Sequence, residues 1–578
     1  MASVIGTPKA DKITVNASEV IVATGKKSKP YAISKKGKNT INGAAGKDTI
    51  TVSGGKSNYI YGGKGNDTFV ISKKSTGTAL VKDFSNKEIV QIAGGAVKNI
   101  KVSGKDIIIY GGKNGKASLT LKNAKGKTFT VKGSSNSYTV TKGVVGVTLK
   151  KDFKGTFNAP AFVTTIDARK VTNDIKVNGN AKANTIYAGK NGGTYNGGDG
   201  NDTIKVTGGD AQTIYGGKGI DTITIAGHDS YHLKYVDGGD GADIISIKDA
   251  YYGDGGTYLG DSRYYGVAGG KGTDNITVTN NNWLTVKGGE DNDIITVNSG
   301  LQNKIYGDAG NDIITVKGGS GHTIDGGTGA DSITIERGKE TVINGNDGND
   351  TIIVKSDADV KKIDGGSGND VIKSYGKVTE IYGGAGNDQI YFYEGSISGN
   401  TSCRYIDGQE GNDTITVAAG THYVADSTGN NTFNITGGSN HRIEGGDGQD
   451  TIKLNSGSGH KVSGGAGVDT IYVNAGGGHE IESGAGADNI IVDMSKDLRS
   501  FTIKSVAGDT ADNLTINNAK FEDFKFKNDG LYMIMSYNND CEIKVESWDS
   551  NKPFSTGVIK FGSTPIPYDQ ISDAAKGL

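Results

Sequence analysis

Aspartates recur along this 578-residue chain at a fixed interval, and acidic side chains at fixed spacing are suited to holding cations. Asp202 and Asp221 are 19 residues apart, as are the successive members of Asp293, Asp312, Asp331 and Asp350, and of Asp450, Asp469 and Asp488. Asp243, Asp274, Asp370, Asp388 and Asp413 occupy the same place at less even intervals, and Asp48 and Asp67 form an earlier pair with the 19-residue step. If one interval is one coil of a solenoid, the carboxylates stack at the interstrand spacing of about 4.8 Å. Each neighbouring pair then repels by about 1 kcal/mol in water, and by about 3.5 kcal/mol at an effective dielectric of 20. A divalent cation between them reverses the sign. Ca2+ suits best, because it accepts about six to eight oxygens in flexible geometry. These aspartates are the candidate metal ligands, together with carbonyls of the glycine turns before them.

The elements that must position them are legible from the blocks around each Asp. GGDGNDTIKV (197–206), GGKGIDTITI (216–225), GGDGADIISI (238–247) and GGKGTDNITV (269–278) open a run that closes with SGAGADNIIV (483–492). A fixed period of this size predicts a solenoid. Paired glycines permit positive φ and a tight turn. The turn glycines in the candidate sites are Gly197, Gly198, Gly200, Gly216, Gly217, Gly219, Gly238, Gly239, Gly269, Gly310, Gly329, Gly348, Gly368, Gly386, Gly411, Gly448, Gly467 and Gly486. Alternating apolar residues after each Asp, such as Ile314 and Val316, predict a strand with one buried face. The second half of each period is another glycine turn and short strand, with Ile214, Ile324 and Val462 directed inward. Asn431 takes the place of an Asp and removes its charge; Asp291, Asp308, Asn346, Gln409 and Ser483 replace turn glycines and predict strained or reshaped turns.

The block resembles the RTX, or haemolysin-type calcium-binding, nonapeptide G-G-x-G-x-D-x-U-x over about half of the chain. The resemblance implies an all-β fold: a right-handed parallel β-roll, here with 19-residue coils and small β modules at both ends. It implies several Ca2+ ions between successive turns at the aspartates and glycine carbonyls named above. Family rolls often carry the motif on both edges. Here the second half-coil lacks the Asp, which predicts mainly one file of ions along one edge. The expected organisation is a short RTX-like roll over 1–96, a Lys-rich β module over 97–160, the main calcium-binding roll over 161–495, and a β capping or secretion-type domain over 496–578.

Net charge is −1, yet residues 1–160 contain 28 Lys and 8 acidic residues, a net +20, so the remainder carries −21. That asymmetry fits attraction to an anionic cell-surface glycan or between the ends of neighbouring molecules, or else solvated faces alone. The Lys-rich part lacks interleaved Arg and aromatics, which argues against a nucleic-acid partner. Two cysteines, Cys403 and Cys541, exclude a disulfide framework. No stretch reaches 18 apolar residues, so no helical membrane span is expected. No charged segment followed by an apolar run opens the chain; RTX relatives usually leave the cell by type I secretion with an uncleaved C-terminal signal, although Ser572–Leu578 lack a strong pattern.

Two further features stand outside the Asp file. His422, His441, His460 and His479 are each 19 apart, with His322 in the same place of its own coil; stacking, zinc binding and acid response are all open to such a ladder. Insertions rich in aromatics, at Tyr251, Tyr252, Tyr258, Tyr264 and Tyr265 and near Tyr391, Phe392 and Tyr393, suit either a binding face or local packing.

Catalytic signatures are missing: His479-Glu480 has no partner to make H-E-x-x-H, and neither G-x-S-x-G nor a P-loop occurs. The expectation is a non-enzymatic, secreted or cell-surface structural protein whose roll folds on Ca2+ and which assembles with copies of itself, head to tail or in a lattice. The alternatives are an RTX adhesin for glycan or protein, or the calcium-binding C-terminal part of a larger secreted enzyme.

Overall fold

The computed structural model describes residues 3–576 apart from 16–18, 25–26, 33–38, 56–57, 135, 209–211, 228–232, 250–265, 394–404, 505–511, 539 and 547–556. The tyrosine-rich insertion at 251–265, Cys403 and Trp548 lie outside the described residues. The chain divides into two compact units, 1–265 and 266–578. Each is nearly all β and built as a parallel β-solenoid with coils of about 19 residues.

Alternation of apolar and polar residues makes each strand, and the 19-residue repeat makes the strands stack in register. Ile294–Val297 pairs in parallel with Ile313–Val316, Ile295 beside Ile314 and Val297 beside Val316. The opposite sheet stacks in the same way, with Ile305 on Ile324. Inward residues from both sheets are fully buried: Ile295, Ile314, Ile333 and Ile352 on one side, and Val286, Ile305, Ile324 and Ile343 on the other. β-branched side chains suit this pleated, closely packed interior.

In the first unit, a short roll stacks Asp11–Val15, Thr49–Val52, Thr68–Ser72 and Ile89–Ala93 in parallel. An antiparallel hairpin, Glu19–Thr24 with Lys27–Ala32, interrupts its first coil. The Lys-rich segment then forms antiparallel hairpins. Asn99–Ser103, Asp106–Gly111 and Ala117–Leu121 extend one sheet of the short roll, and Thr128–Lys132, Ser137–Thr141 and Val144–Thr148 extend the other. Val144–Thr148 pairs in parallel with Thr165–Asp167 and so begins the next roll, which runs on to Ile244–Lys248.

In the second unit, Ser332–Asp347 and Thr351–Ser367 run as continuous strands of 16 and 17 residues around the edge where neighbouring coils have glycine turns. Their segments RGKE and SDAD lack the paired glycines of those turns. The parallel register continues past residue 495, through Phe501–Lys504 to Cys541–Glu546 and through Asn513–Asn517 to Ile559–Phe561. An antiparallel meander, Phe524–Asn528, Tyr532–Tyr537 and Cys541–Glu546, joins this end. Burial pushes the Cys541 thiol up to about 11, which leaves it an inert apolar filler. The chain ends in a helix, Tyr568–Lys576, where sequence alone suggests strand; Ile571 anchors it and Pro567 stands just before its first residue.

Candidate metal centre

Each coil turns from one sheet to the other on its glycine pair, and the Asp stands where that turn becomes strand. Gly289 takes φ 126°, which a side chain resists. Gly288 is needed for a different reason. A Cβ there would collide with Asp293 Oδ2 on one side and Gly307 O, from the next coil, on the other. The same cradle, flanked by the coil's own carboxylate and the next coil's glycine carbonyl, recurs at Gly197, Gly216, Gly269, Gly307, Gly326, Gly345, Gly365 and Gly383. At Gly216 the carbonyl is that of Gly238. The second and fourth glycines, among them Gly198, Gly200, Gly217, Gly219, Gly239, Gly310, Gly329, Gly348, Gly368, Gly386, Gly411, Gly448, Gly467 and Gly486, all take positive φ. Asp291, Asp308, Asn346 and Gln409 are forced into the same region, at φ 80°, 71°, 71° and 76°, and keep the turn shape at a cost in strain.

The two oxygens of each Asp do different things. Oδ1 accepts the backbone N–H of the Asp one coil earlier: Asp274 N–H to Asp293 at 2.7 Å, Asp293 N–H to Asp312 at 2.7 Å, Asp312 N–H to Asp331 at 2.8 Å, Asp331 N–H to Asp350 at 2.7 Å. The ladder continues through Asp370, Asp388, Asp413, Asn431, Asp450, Asp469 and Asp488. Within the first unit it links Asn184, Asp202, Asp221 and Asp243, and separately Asp11, Asp48 and Asp67. Oδ2, by contrast, is buried with no hydrogen-bond partner on Asp48, Asp67, Asp202, Asp221, Asp293, Asp312, Asp331, Asp350, Asp370, Asp388, Asp450 and Asp469.

A buried carboxylate is an acceptor-only group, and leaving one oxygen unmet costs about 1–3 kcal/mol, more when the group is charged. The protonation equilibria register that cost. Burial first, and neighbouring carboxylates second, push Asp202, Asp293, Asp331, Asp388 and Asp450 up to about 7, and Asp48, Asp243 and Asp370 to about 6. An orphaned anionic oxygen facing a carbonyl oxygen, in a space too tight for a methyl group, fits a hard oxygen-seeking cation. Among the described residues no three His, Cys, Asp or Glu side chains converge, so backbone carbonyls must supply much of any ligand set.

A model of the RTX calcium-binding nonapeptide repeat matches residues 34–57, 52–70, 206–224, 342–361, 362–375 and 380–396. The chain carries RTX calcium-binding repeats. No curated protein matches it. Among solved structures, the chain matches a hyperactive, Ca2+-dependent, β-helical antifreeze protein from an Antarctic bacterium, at 17% identity over 72% of this chain and 94% of that one, with a TM-score of 0.29.

The RTX file holds members that the repeat spacing did not reveal. Asp11 begins it, 2% exposed, with Thr7 N–H and Thr7 Oγ on its carboxylate. Glu88, one coil after Asp67 and 1% exposed, is pushed by burial up to about 7. Asp512 follows Asp488: its Oδ1 accepts the Asp488 N–H at 3.0 Å and its Oδ2 the Ser483 hydroxyl at 2.8 Å. Asp11 lies in the degenerate block VIGTPKADKITV (4–15), and the Glu19–Ala32 hairpin stretches its step to Asp48 from 19 to 37 residues.

The opposite edge carries the histidines in a parallel arrangement. His441, His460 and His479 each accept, at ring Nδ1, the backbone N–H of the histidine one coil earlier, at 3.1, 3.2 and 3.2 Å. Nε2 faces the carbonyl of Gly437, Ser456 or Ala475 at 3.0, 3.3 and 3.2 Å. A ring that accepts at Nδ1 and meets a carbonyl at Nε2 is neutral with its proton on Nε2. The rings stack at 4.8–5.2 Å between centroids, and burial pulls His441 and His460 down to about 4. Both nitrogens are committed, so the ladder offers no lone pair to zinc. Asn303 does the same work further along this edge, its Oδ1 accepting the Leu284 N–H at 2.9 Å.

Proposed function

We propose that this is a secreted, non-enzymatic structural protein whose RTX rolls fold and stiffen on Ca2+, held mainly in one file along the Asp edge, and which assembles with copies of itself in a surface layer, matrix or filament. The observation that carries this reading is the row of buried Oδ2 atoms without partners. The residues that would hold the ions are the file aspartates, with the first glycine carbonyl of the following coil. Calcium bound there would neutralise the stacked carboxylates and satisfy the orphaned oxygens. The protein's own part is to fix Oδ1 on the preceding coil, to leave the cradle open by having glycine there, and to exclude water with the apolar core beneath. Where calcium is scarce the acidic coils repel, which suits export by type I secretion; outside the cell, binding supplies folding free energy because only the folded state forms the cradles. Circular dichroism before and after exhaustive EGTA dialysis tests this. An unaltered spectrum and melting point would reduce the protein to a metal-free rod.

Self-assembly draws its support from the opposed charges of residues 1–160 and the remainder. Light scattering in calcium should show assembly that a variant lacking residues 1–92 has lost; unchanged assembly refutes head-to-tail docking through the short roll. A second reading, an adhesin, is favoured by the row of tilted tyrosine rings Tyr382, Tyr405 and Tyr423, at 5.6 and 5.2 Å, and the stacked pair Tyr375–Tyr393, at 5.3 Å, along the second unit. Glycan-array binding that falls on replacing these tyrosines would favour it.

A further inference from the structure

The coil from Asp426 to Asn431 breaks the repeat twice, and the two breaks compensate. Asn431 stands in the Asp file: it accepts the Asp413 N–H at Oδ1 (2.7 Å) and gives its own N–H to Asp450 at 2.7 Å. Its other side-chain atom is an amide nitrogen, directed at Gly429 O (3.4 Å), so it presents a donor where its neighbours present an orphaned acceptor. Five residues earlier, the place taken by Gly408 and Gly445 in the adjoining coils is taken by Asp426. In the regular coil before, the cradle of Gly383 is flanked by Asp388 Oδ2 at 2.5 Å and Gly408 O at 2.7 Å from the position a Cβ would take. At Gly408 the flanking atoms are Asp413 Oδ2 and, in place of a glycine carbonyl, Asp426 Oδ2.

We infer that Asp426 replaces the charge missing at Asn431 and that Asp413 and Asp426 together form a two-carboxylate site for one divalent cation, calcium by ligand type, in the cradle of Gly408. The inference rests on the calcium reading above and adds to one cradle of the file a ligand from outside the repeat pattern. Asp413 and Asp426 are 1% and 5% exposed. Asp426 Oδ1 is occupied by the Ser427 N–H at 2.7 Å, while the Oδ2 atoms of Asp413 and Asp426 are buried and have only each other as partners, a contact that holds in the absence of a cation only if one of the two carries a proton. Two carboxyl oxygens thus face one cradle from adjacent coils, where the regular cradles have one carboxyl oxygen and one carbonyl. Ligand charge raises affinity for Ca2+, so this cradle should fill before its neighbours. The cradle of the Asp426 coil itself is closed by the Asp426 Cβ, so the exchange moves charge back by one coil and adds no second site.

Anomalous difference density from full-length crystals grown in calcium tests this. A peak within about 2.3–2.6 Å of both Asp413 Oδ2 and Asp426 Oδ2 is expected. Peaks in the Gly288 and Gly307 cradles with none at Gly408 overturn this inference and leave the calcium file standing. No peak in any cradle overturns both. In solution, Asp426→Gly should raise the free calcium needed for half-maximal folding of the full chain by on the order of tenfold. The double variant D426G/N431D, which restores the regular block, should recover most of that loss. If Asp413 and Asp426 merely share a proton, Asp426→Asn leaves the calcium midpoint unchanged, and the inference is refuted.

Discussion

Replacing Asp331 by Asn should stabilise the protein without calcium and destabilise it with calcium. The substitution keeps an oxygen to accept the Asp312 N–H, now made at 2.8 Å, and the natural Asn431 shows that the ladder tolerates this. It removes the buried negative charge whose protonation equilibrium is pushed from 3.8 to about 7, first by burial and then by Asp350 and Asp312. At about 1.36 kcal/mol per unit, holding that charge above neutral pH costs at most about 4 kcal/mol. Solvent screening at the edge of the roll lowers the expected gain in EGTA to about 1–3 kcal/mol. In calcium the sign turns, because a site filled at a hundredfold over its Kd contributes about 2.7 kcal/mol and the variant loses that term. Asp331→Ala should be worse than Asn in both conditions by about 1–3 kcal/mol, since it also strands the Asp312 N–H. Urea melts of the full chain at pH 8, in EGTA and in excess calcium, followed by circular dichroism, measure all four combinations. A loss of equal size for Asp331→Asn in both media would show that the carboxylate serves only as a hydrogen-bond acceptor, and the cation argument would fail.

The same carboxylates fix the pH response of the calcium-free protein. Their folded values lie above the unfolded one, so the folded state binds more protons between about 4 and about 7, and stability falls as pH rises through that window. Melting temperatures in EGTA should therefore be higher near pH 5 than near pH 8; the reverse order would contradict the burial of uncompensated charge. The histidines have the opposite sign. His441 and His460 are depressed to about 4, so in saturating calcium stability should be lost as pH falls from about 6.5 toward 4, and H441N/H460N should lessen that loss, as Asn303 already fills this role. A zinc titration followed by histidine NMR should show no shifts; displacement of the ring signals would mean that an Nδ1 or Nε2 is free after all.

Most of the Asp edge is legible from residue spacing because a solenoid converts a sequence interval into a spatial neighbour. Asp293, Asp312 and Asp331 could be placed in one column before any strand was seen, and the glycines before them read as turns. Legibility fails where the interval is broken or the residue type changes. Asp11 is displaced by a hairpin, Glu88 and Asp512 sit in blocks without the glycine pair, and Asp426 occupies a glycine position, where no side chain is expected. The substituted turn residues Asp291, Asp308, Asn346, Gln409 and Ser483 were expected to strain or reshape their turns; positive φ at the first four shows that the turn shape wins and the residue bears the strain, whereas Ser483, in the place of a first glycine, does not take positive φ and bonds Asp512 instead.

Periodicity alone determined the coil length, the buried faces and the existence of an acidic column, since these depend only on which residues recur at equal steps. Packing between coils decided the rest. It assigned one oxygen of each Asp to a neighbouring amide and left the other unmet, committed both nitrogens of the histidine ladder, and aimed Asp426 at Asp413. Those outcomes depend on which atom of one coil meets which atom of the next within a few ångströms, and a one-dimensional pattern does not contain that distance.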